Sequence, residues 1–122
     1  MKSLSYSLLA LVGSASLLAA GPAFAHAKLI QSNPSNNAVV SAAPRTLVLS
    51  FNEKLVPAFS KVELTMPEHG MKVPVTSKVS ADGKTIVAVP ASSLHKGAYK
   101  MVWSAAGADG HKMTGEVSFK IG

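Results

Sequence analysis

The residues of this chain best suited to chemistry are a histidine near its start and an Asp-Gly-His triplet near its end. His26 follows Ala23-Phe24-Ala25, a small-x-small sequence of the kind signal peptidases cut. Cleavage after Ala25 makes His26 the first residue of the product. A histidine at a free N-terminus is a chelate, because its α-amine and ring Nδ1 reach one metal ion together. Asp109-Gly110-His111 offers an oxygen and a nitrogen donor two positions apart. In an extended segment, positions i and i+2 point to the same side. Asp109 and His111 therefore face one ion if this loop is locally extended, with Gly110 letting the backbone bend toward it. The alternative is a polar turn in which Asp109 caps its own backbone, and spacing alone does not separate the two. An amine, two imidazoles and a carboxylate in a tetragonal arrangement suit Cu(II). Zinc takes such donors tetrahedrally.

The segment ahead of His26 has the order of a secretory signal peptide: Lys2, an apolar run from Leu8 to Ala20, then Gly21-Pro22 and the cleavage sequence. The run falls short of the ~20 residues a membrane-spanning helix needs. Ala25-His26-Ala27 also fits the small-x-small pattern and would remove His26, but Pro22 and the apolar run place the first site at the usual distance. The expected domains are a signal peptide, 1–25, and one mature domain, 26–122. The chain has no cysteine, which excludes a lipid-anchored or disulfide-stapled product. Lys2 is the one charge removed, taking the net charge from +6 to +5. The basic residues are spread singly, without the clustering and exposed aromatics of a nucleic-acid surface. They suit solvent faces of strands, where lysine also blunts edge pairing.

The mature segment must be built from strands, since period-two alternation recurs between turn clusters and helical periodicity does not. The expected strands are Lys28–Ser32, Thr46–Phe51, Ser60–Thr65, an irregular edge strand Lys72–Val79 containing Pro74, Thr85–Val89, Ala98–Ser104 and Glu116–Ile121. Met66 to Met71 reads as a loop, because Pro67 and Gly70 interrupt a ladder. Asp82-Gly83 marks a hairpin turn. About seven short strands predict an all-β, immunoglobulin-like antiparallel sandwich. Its expected core is Leu49, Phe51, Val62, Leu64, Val87, Tyr99, Trp103, Val117 and Phe119, with Met101 alternating into it. His95, between Leu94 and Lys96, reads as an ordinary surface histidine.

Over nearly its whole mature length the chain resembles the CopC-type periplasmic copper-binding proteins. The resemblance rests on His26-Ala27-Lys28-Leu29, Ser32-Asn33-Pro34, Leu49-Ser50-Phe51-Asn52-Glu53-Lys54-Leu55, Pro90, Gly97-Ala98-Tyr99, Val102-Trp103, and Asp109-Gly110-His111 with Thr114-Gly115. It implies a β-sandwich that binds Cu(II) through His26, Asp109 and His111. Glu53 matches an acidic residue near that site and is a weaker contributor; its other reading is a solvated turn residue. Some members also bind Cu(I) in a methionine-rich loop, where soft thioethers suit the ion. Here the corresponding loop offers Met66, His69 and Met71. The resemblance further implies a monomeric periplasmic copper carrier or buffer in copper resistance, working beside a CopD-type inner-membrane protein and not an enzyme. Two alternatives use the same residues differently. One is a small copper monooxygenase with an N-terminal histidine brace, against which stand the small size and the few aromatics. The other is a metal-free sandwich acting as an interaction module.

Overall fold

The computed structural model describes residues 26–122; the signal segment and its cleavage site lie outside the described residues. Among the described residues, nine strands form two sheets: β1 (Leu29–Asn33), β2 (Ala38–Val40), β3 (Leu47–Phe51), β4 (Lys61–Met66), β5 (Met71–Val73), β6 (Val75–Val79), β7 (Thr85–Pro90), β8 (Gly97–Ala106) and β9 (Lys112–Ile121). One sheet has the order β1-β3-β7-β6 and the other β2-β9-β8-β4-β5. Between them lies the core, with Leu47, Leu49, Phe51 and Ile86 from the first sheet and Leu64, Tyr99, Met101, Trp103, Val117 and Phe119 from the second. Phe51 and Trp103 meet edge to face across the sandwich, centroids 5.1 Å apart. All-β sandwich architecture is thus as expected.

Four expectations change. The strand count is nine rather than about seven. β2 has three residues, too few to show alternation, and Pro74 divides the expected Lys72–Val79 strand. Proline cannot donate to a ladder, so β5 stays with β4 in one sheet while β6 pairs with β7 in the other. The sandwich is not wholly antiparallel, since β2 runs parallel to β9. Val87 is half-buried while Ile86 and Ala88 point inward. Residues 86–89 are apolar at both parities, so the pattern carries no facing information. Pairing with β3 decides it, setting Ile86 opposite Leu49 and Ala88 opposite Leu47. Met66 to Met71 is a tight hairpin rather than a loop: Pro67–His69 form one 3-10 turn, and Gly70 closes it at φ 60°.

Two long elements position the chemistry. β8 and β9 pair over ten residues, from Gly97–Ile121 to Ala106–Lys112, and present the 107–111 loop at one end of the sandwich. The loop's base is tied to the segment after β3. Leu55 bridges to Gly107, and the Val56 N–H donates to the Ala106 carbonyl at 2.8 Å. Ser60, buried, accepts from the Ala106 N–H at 3.1 Å and donates to the Val56 carbonyl at 2.8 Å.

Candidate metal centre

The 107–111 loop is a turn rather than an extended segment. The Gly110 N–H donates to the Gly107 carbonyl at 2.9 Å, and Gly110 lies at φ 82°, a left-handed conformation that glycine adopts without steric cost. Asp109 Oδ1 accepts the His111 N–H at 3.0 Å. Asp109 therefore caps its own turn, as one sequence reading had it. The second oxygen, Oδ2, lies 3.0 Å from His111 Nδ1. The turn, not strand alternation, brings Asp109 and His111 to one side.

His26 arrives from the opposite sheet. Ala27, 1% exposed, anchors the arm in the core. Asn52, just past β3, holds its backbone from three directions. Its Oδ1 accepts the Lys28 N–H at 2.8 Å, its own N–H donates to the Lys28 carbonyl at 3.1 Å, and its Nδ2 donates to the His26 carbonyl at 3.4 Å. The sequence reading missed Asn52; the only available signal was an amide side chain ending a strand that sits opposite the start of the chain. So held, His26 Nδ1 lies 3.2 Å from Asp109 Oδ2. The two imidazoles stand edge to face with centroids 4.9 Å apart. One ligand atom from each of His26, Asp109 and His111 falls within 4.8 Å of the others.

Two features mark this cluster as more than a polar surface. The Asp109 side chain is only 14% exposed, although its loop is open to solvent. His26 Nδ1 is buried and makes no hydrogen bond despite its closeness to the carboxylate, and a buried polar atom left unpaired costs stability. A cation placed between these groups gives that nitrogen a partner. The side-chain hydrogen bond with His111 holds the Asp109 carboxyl below the usual carboxylate range, aided by the His111 N–H and the charges of His111 and His26. The carboxylate is thus kept anionic, as a ligand must be. Two imidazoles and a carboxylate suit a borderline divalent ion such as Cu(II) or Zn(II).

Glu53 is half-buried beside this group but outside the three-residue cluster. Its carboxylate packs on the open face of Gly107, where a Cβ would collide with Oε1 and would lie 3.6 Å from Asp109 Oδ1. Met66 and Met71 are at the other end of β8's sheet, directly opposed in the β4–β5 register. His69 is exposed on the turn between them, and His95 is exposed in the connection after β7. The structure thus brings together the first three candidate ligands and keeps the methionine hairpin apart from them.

Residues 29–122 match the CopC domain family. The chain is 44% identical over 113 residues to copper resistance protein C of Xanthomonas campestris pv. juglandis, covering 88% of each chain. It is 40% identical to copper resistance protein C of Pseudomonas syringae pv. tomato, covering 88% of this chain and 89% of that one. Among solved structures it superposes on PcoC, a methionine-rich copper resistance protein from Escherichia coli. The TM-score is 0.74 at 35% identity, over 80% of this chain and all of the other. The fold, the matched domain and these relatives agree: the chain belongs to the CopC family of copper resistance proteins.

Proposed function

We propose that this protein takes up Cu(II) as cargo at His26, Asp109 and His111 and carries or buffers it in the periplasm. The observation that supports this most is the shared carboxylate oxygen, Asp109 Oδ2, with His111 Nδ1 at 3.0 Å and the unpaired His26 Nδ1 at 3.2 Å. Removal of residues 1–25 adds the His26 α-amine as a fourth donor. The set is then three nitrogens and one oxygen, which suits tetragonal Cu(II). Glu53 acts from outside, packing against the base of the loop. The signal-type segment and a CopD-type membrane protein that passes copper on or receives it complete this reading. A carrier also fits the surface better than a polysaccharide oxidase does. Phe51, Tyr99, Trp103 and Phe119 are buried in the core, leaving Phe59 as the exposed aromatic ring among the described residues.

The test is a Cu(II) competition titration of the protein beginning at His26 against a version carrying one extra residue before it. The extra residue moves the amine out of chelating distance, so the extended protein binds more weakly. Equal affinity would show that the amine is not a ligand and that the N-terminal part of this reading is wrong.

A further inference from the structure

The lysines are scattered along the sequence, but the strand register gathers five of them on the outer face of the β2-β9-β8-β4-β5 sheet. Val62, Leu64, Met101, Val117 and Phe119 point into the core and fix the parity of their strands. Lys61 on β4, Lys72 on β5, Lys100 on β8, and Lys112 and Lys120 on β9 take the opposite, outward parity. Two carboxylates share this face. Glu63 pairs with Lys61 at 3.1 Å and Lys72 at 3.5 Å, and Glu116 pairs with Lys100 at 3.0 Å. Lys112 and Lys120 pair with no carboxylate among the described residues. The four strands of the other sheet hold one charged residue between them, Lys78. An apolar turn stands at one end of the lysine face. Pro57–Phe59 form a 3-10 turn with no buried residue, and Phe59 is 58% exposed. The turn is held firmly, since the Phe59 N–H and the Ser60 hydroxyl both donate to the Val56 carbonyl, at 3.0 and 2.8 Å. Phe59 borders one shallow hollow with Ala58, Lys61, Ser104 and Lys112, so the ring and two lysines share a corner.

We infer that Phe59 and the lysine face dock on an anionic phospholipid surface, with Phe59 entering the headgroup region and the lysines facing lipid phosphates. Exposed apolar side chains rimmed by polar ones mark interaction sites. Charge complementarity names the occupant. Each lysine held near an anionic membrane surface adds to binding, and the attraction fades within a Debye length. A broad sheet face with five lysines meets many headgroups at once, whereas an extended acidic peptide meets only those along one line. Pro57, Ala58 and Phe59 bring no side-chain hydrogen-bonding group, which suits the boundary between headgroups and acyl chains. The same corner adjoins the metal centre. Leu55 and Val56, just ahead of the turn, hold the base of the 107–111 loop through Gly107 and Ala106. Docking therefore brings the end of the sandwich that carries His26, Asp109 and His111 to the membrane surface.

The experiment uses metal-free protein beginning at His26, because the apolar run within residues 1–25 would hold vesicles by itself and the core lies wholly within 26–122. The protein is floated with vesicles of equal parts phosphatidylethanolamine and phosphatidylglycerol, and separately with phosphatidylcholine vesicles. The wild type binds the anionic vesicles, releases them as salt rises, and does not bind the neutral ones. Phe59→Ser weakens binding about tenfold, and Lys112→Gln and Lys120→Gln each weaken it up to about fivefold. Ile30→Ser, at a position 66% exposed on β1 of the other sheet, binds as the wild type does. Phe59→Trp reports the insertion: vesicles with brominated acyl chains quench its emission, while the wild type, whose one tryptophan is the buried Trp103, is not quenched. Wild-type binding by Phe59→Ser, or an equal loss in Ile30→Ser, would overturn the docking face. So would a wild type that ignores anionic vesicles, and binding to polyglutamate in their place would assign the face to an acidic protein partner. Thermal melts check that each variant is folded. None of these measurements uses copper, so their failure leaves the Cu(II) reading standing.

Discussion

Asp109 grips His111 with both carboxylate oxygens: Oδ1 takes the backbone N–H at 3.0 Å, and Oδ2 lies 3.0 Å from the ring Nδ1. The first contact shapes the turn, and the second holds the carboxylate on the side of the His111 ring, toward the proposed metal position. The two jobs separate by substitution. Asp109→Asn keeps a side-chain oxygen for the backbone N–H but loses the charge, so it weakens Cu(II) binding with little change in the melting temperature of the metal-free protein. Asp109→Ala loses both, and lowers the metal-free melting temperature as well by removing a hydrogen bond worth about 1 kcal/mol. Paired titrations and thermal melts check this.

Asn52 makes three hydrogen bonds to the backbone of the His26 arm, two of them through its side chain. Asn52→Ala frees the arm, and Cu(II) affinity falls about threefold to tenfold, from side-chain hydrogen bonds worth roughly 1 kcal/mol each. An Asn52→Ala protein with unchanged Cu(II) affinity would mean that Ala27 alone holds the arm.

Alternation made most of this fold legible where one parity was apolar, as at Tyr99, Met101 and Trp103 on β8. It failed on β7, where Ile86 to Val89 are apolar without a break and the neighbouring strand chooses the face. It also missed β2, whose three residues pair parallel to β9 through contacts far away in sequence. Asp109 and His111 were readable as candidate ligands because two donor side chains stand two positions apart, and His26 because a cleavage-type sequence precedes it. The role of Asn52 was not. It depends on which loops the sandwich stacks together, a property of topology and not of local pattern. At the Asp109 turn the capping reading holds through Oδ1, and the carboxylate's second oxygen is left beside the His111 ring.

The core is sensitive at a matched pair on the long hairpin. Gly115 is the register partner of Trp103, and a Cβ there would fall 2.5 Å from Cζ2 of the indole. Gly115→Ala therefore forces the ring aside and costs about 1–3 kcal/mol, as overpacking does. Trp103→Ala costs roughly 3–5 kcal/mol. The Trp103 Nε1 is buried without an acceptor, so Trp103→Phe removes an unpaired donor and is milder than Trp103→Ala. Chemical denaturation of the three variants gives the order.

The acid limb of stability has a named contributor outside the His26, Asp109 and His111 cluster. Asp82 accepts from Ser80 Oγ, the Lys84 N–H and Thr85 Oγ1, and these bonds, Ser80's foremost, push its carboxyl down to about 2. A carboxyl depressed in the folded state stabilises fully above its unfolded value of about 3.9, and that contribution fades as pH falls toward 2. Melting temperatures measured from pH 6 to pH 2 drop less steeply below pH 4 in Asp82→Asn than in the wild type. Cu(II) binding at pH 7 is the same in both.

The convergence of His26, Asp109 and His111 on one ion is tested most directly by pulsed EPR of the Cu(II)-loaded protein beginning at His26, read for nitrogen modulation from coordinated imidazole. The wild type gives the signature of two imidazoles, and His111→Ala that of one. In parallel, bound Cu(II) stabilises the wild type by about 2.7 kcal/mol at free copper a hundred times Kd, and far less in His111→Ala. A His111→Ala spectrum identical to the wild type would contradict the account, because it would place copper somewhere other than between the two histidines that Asp109 joins.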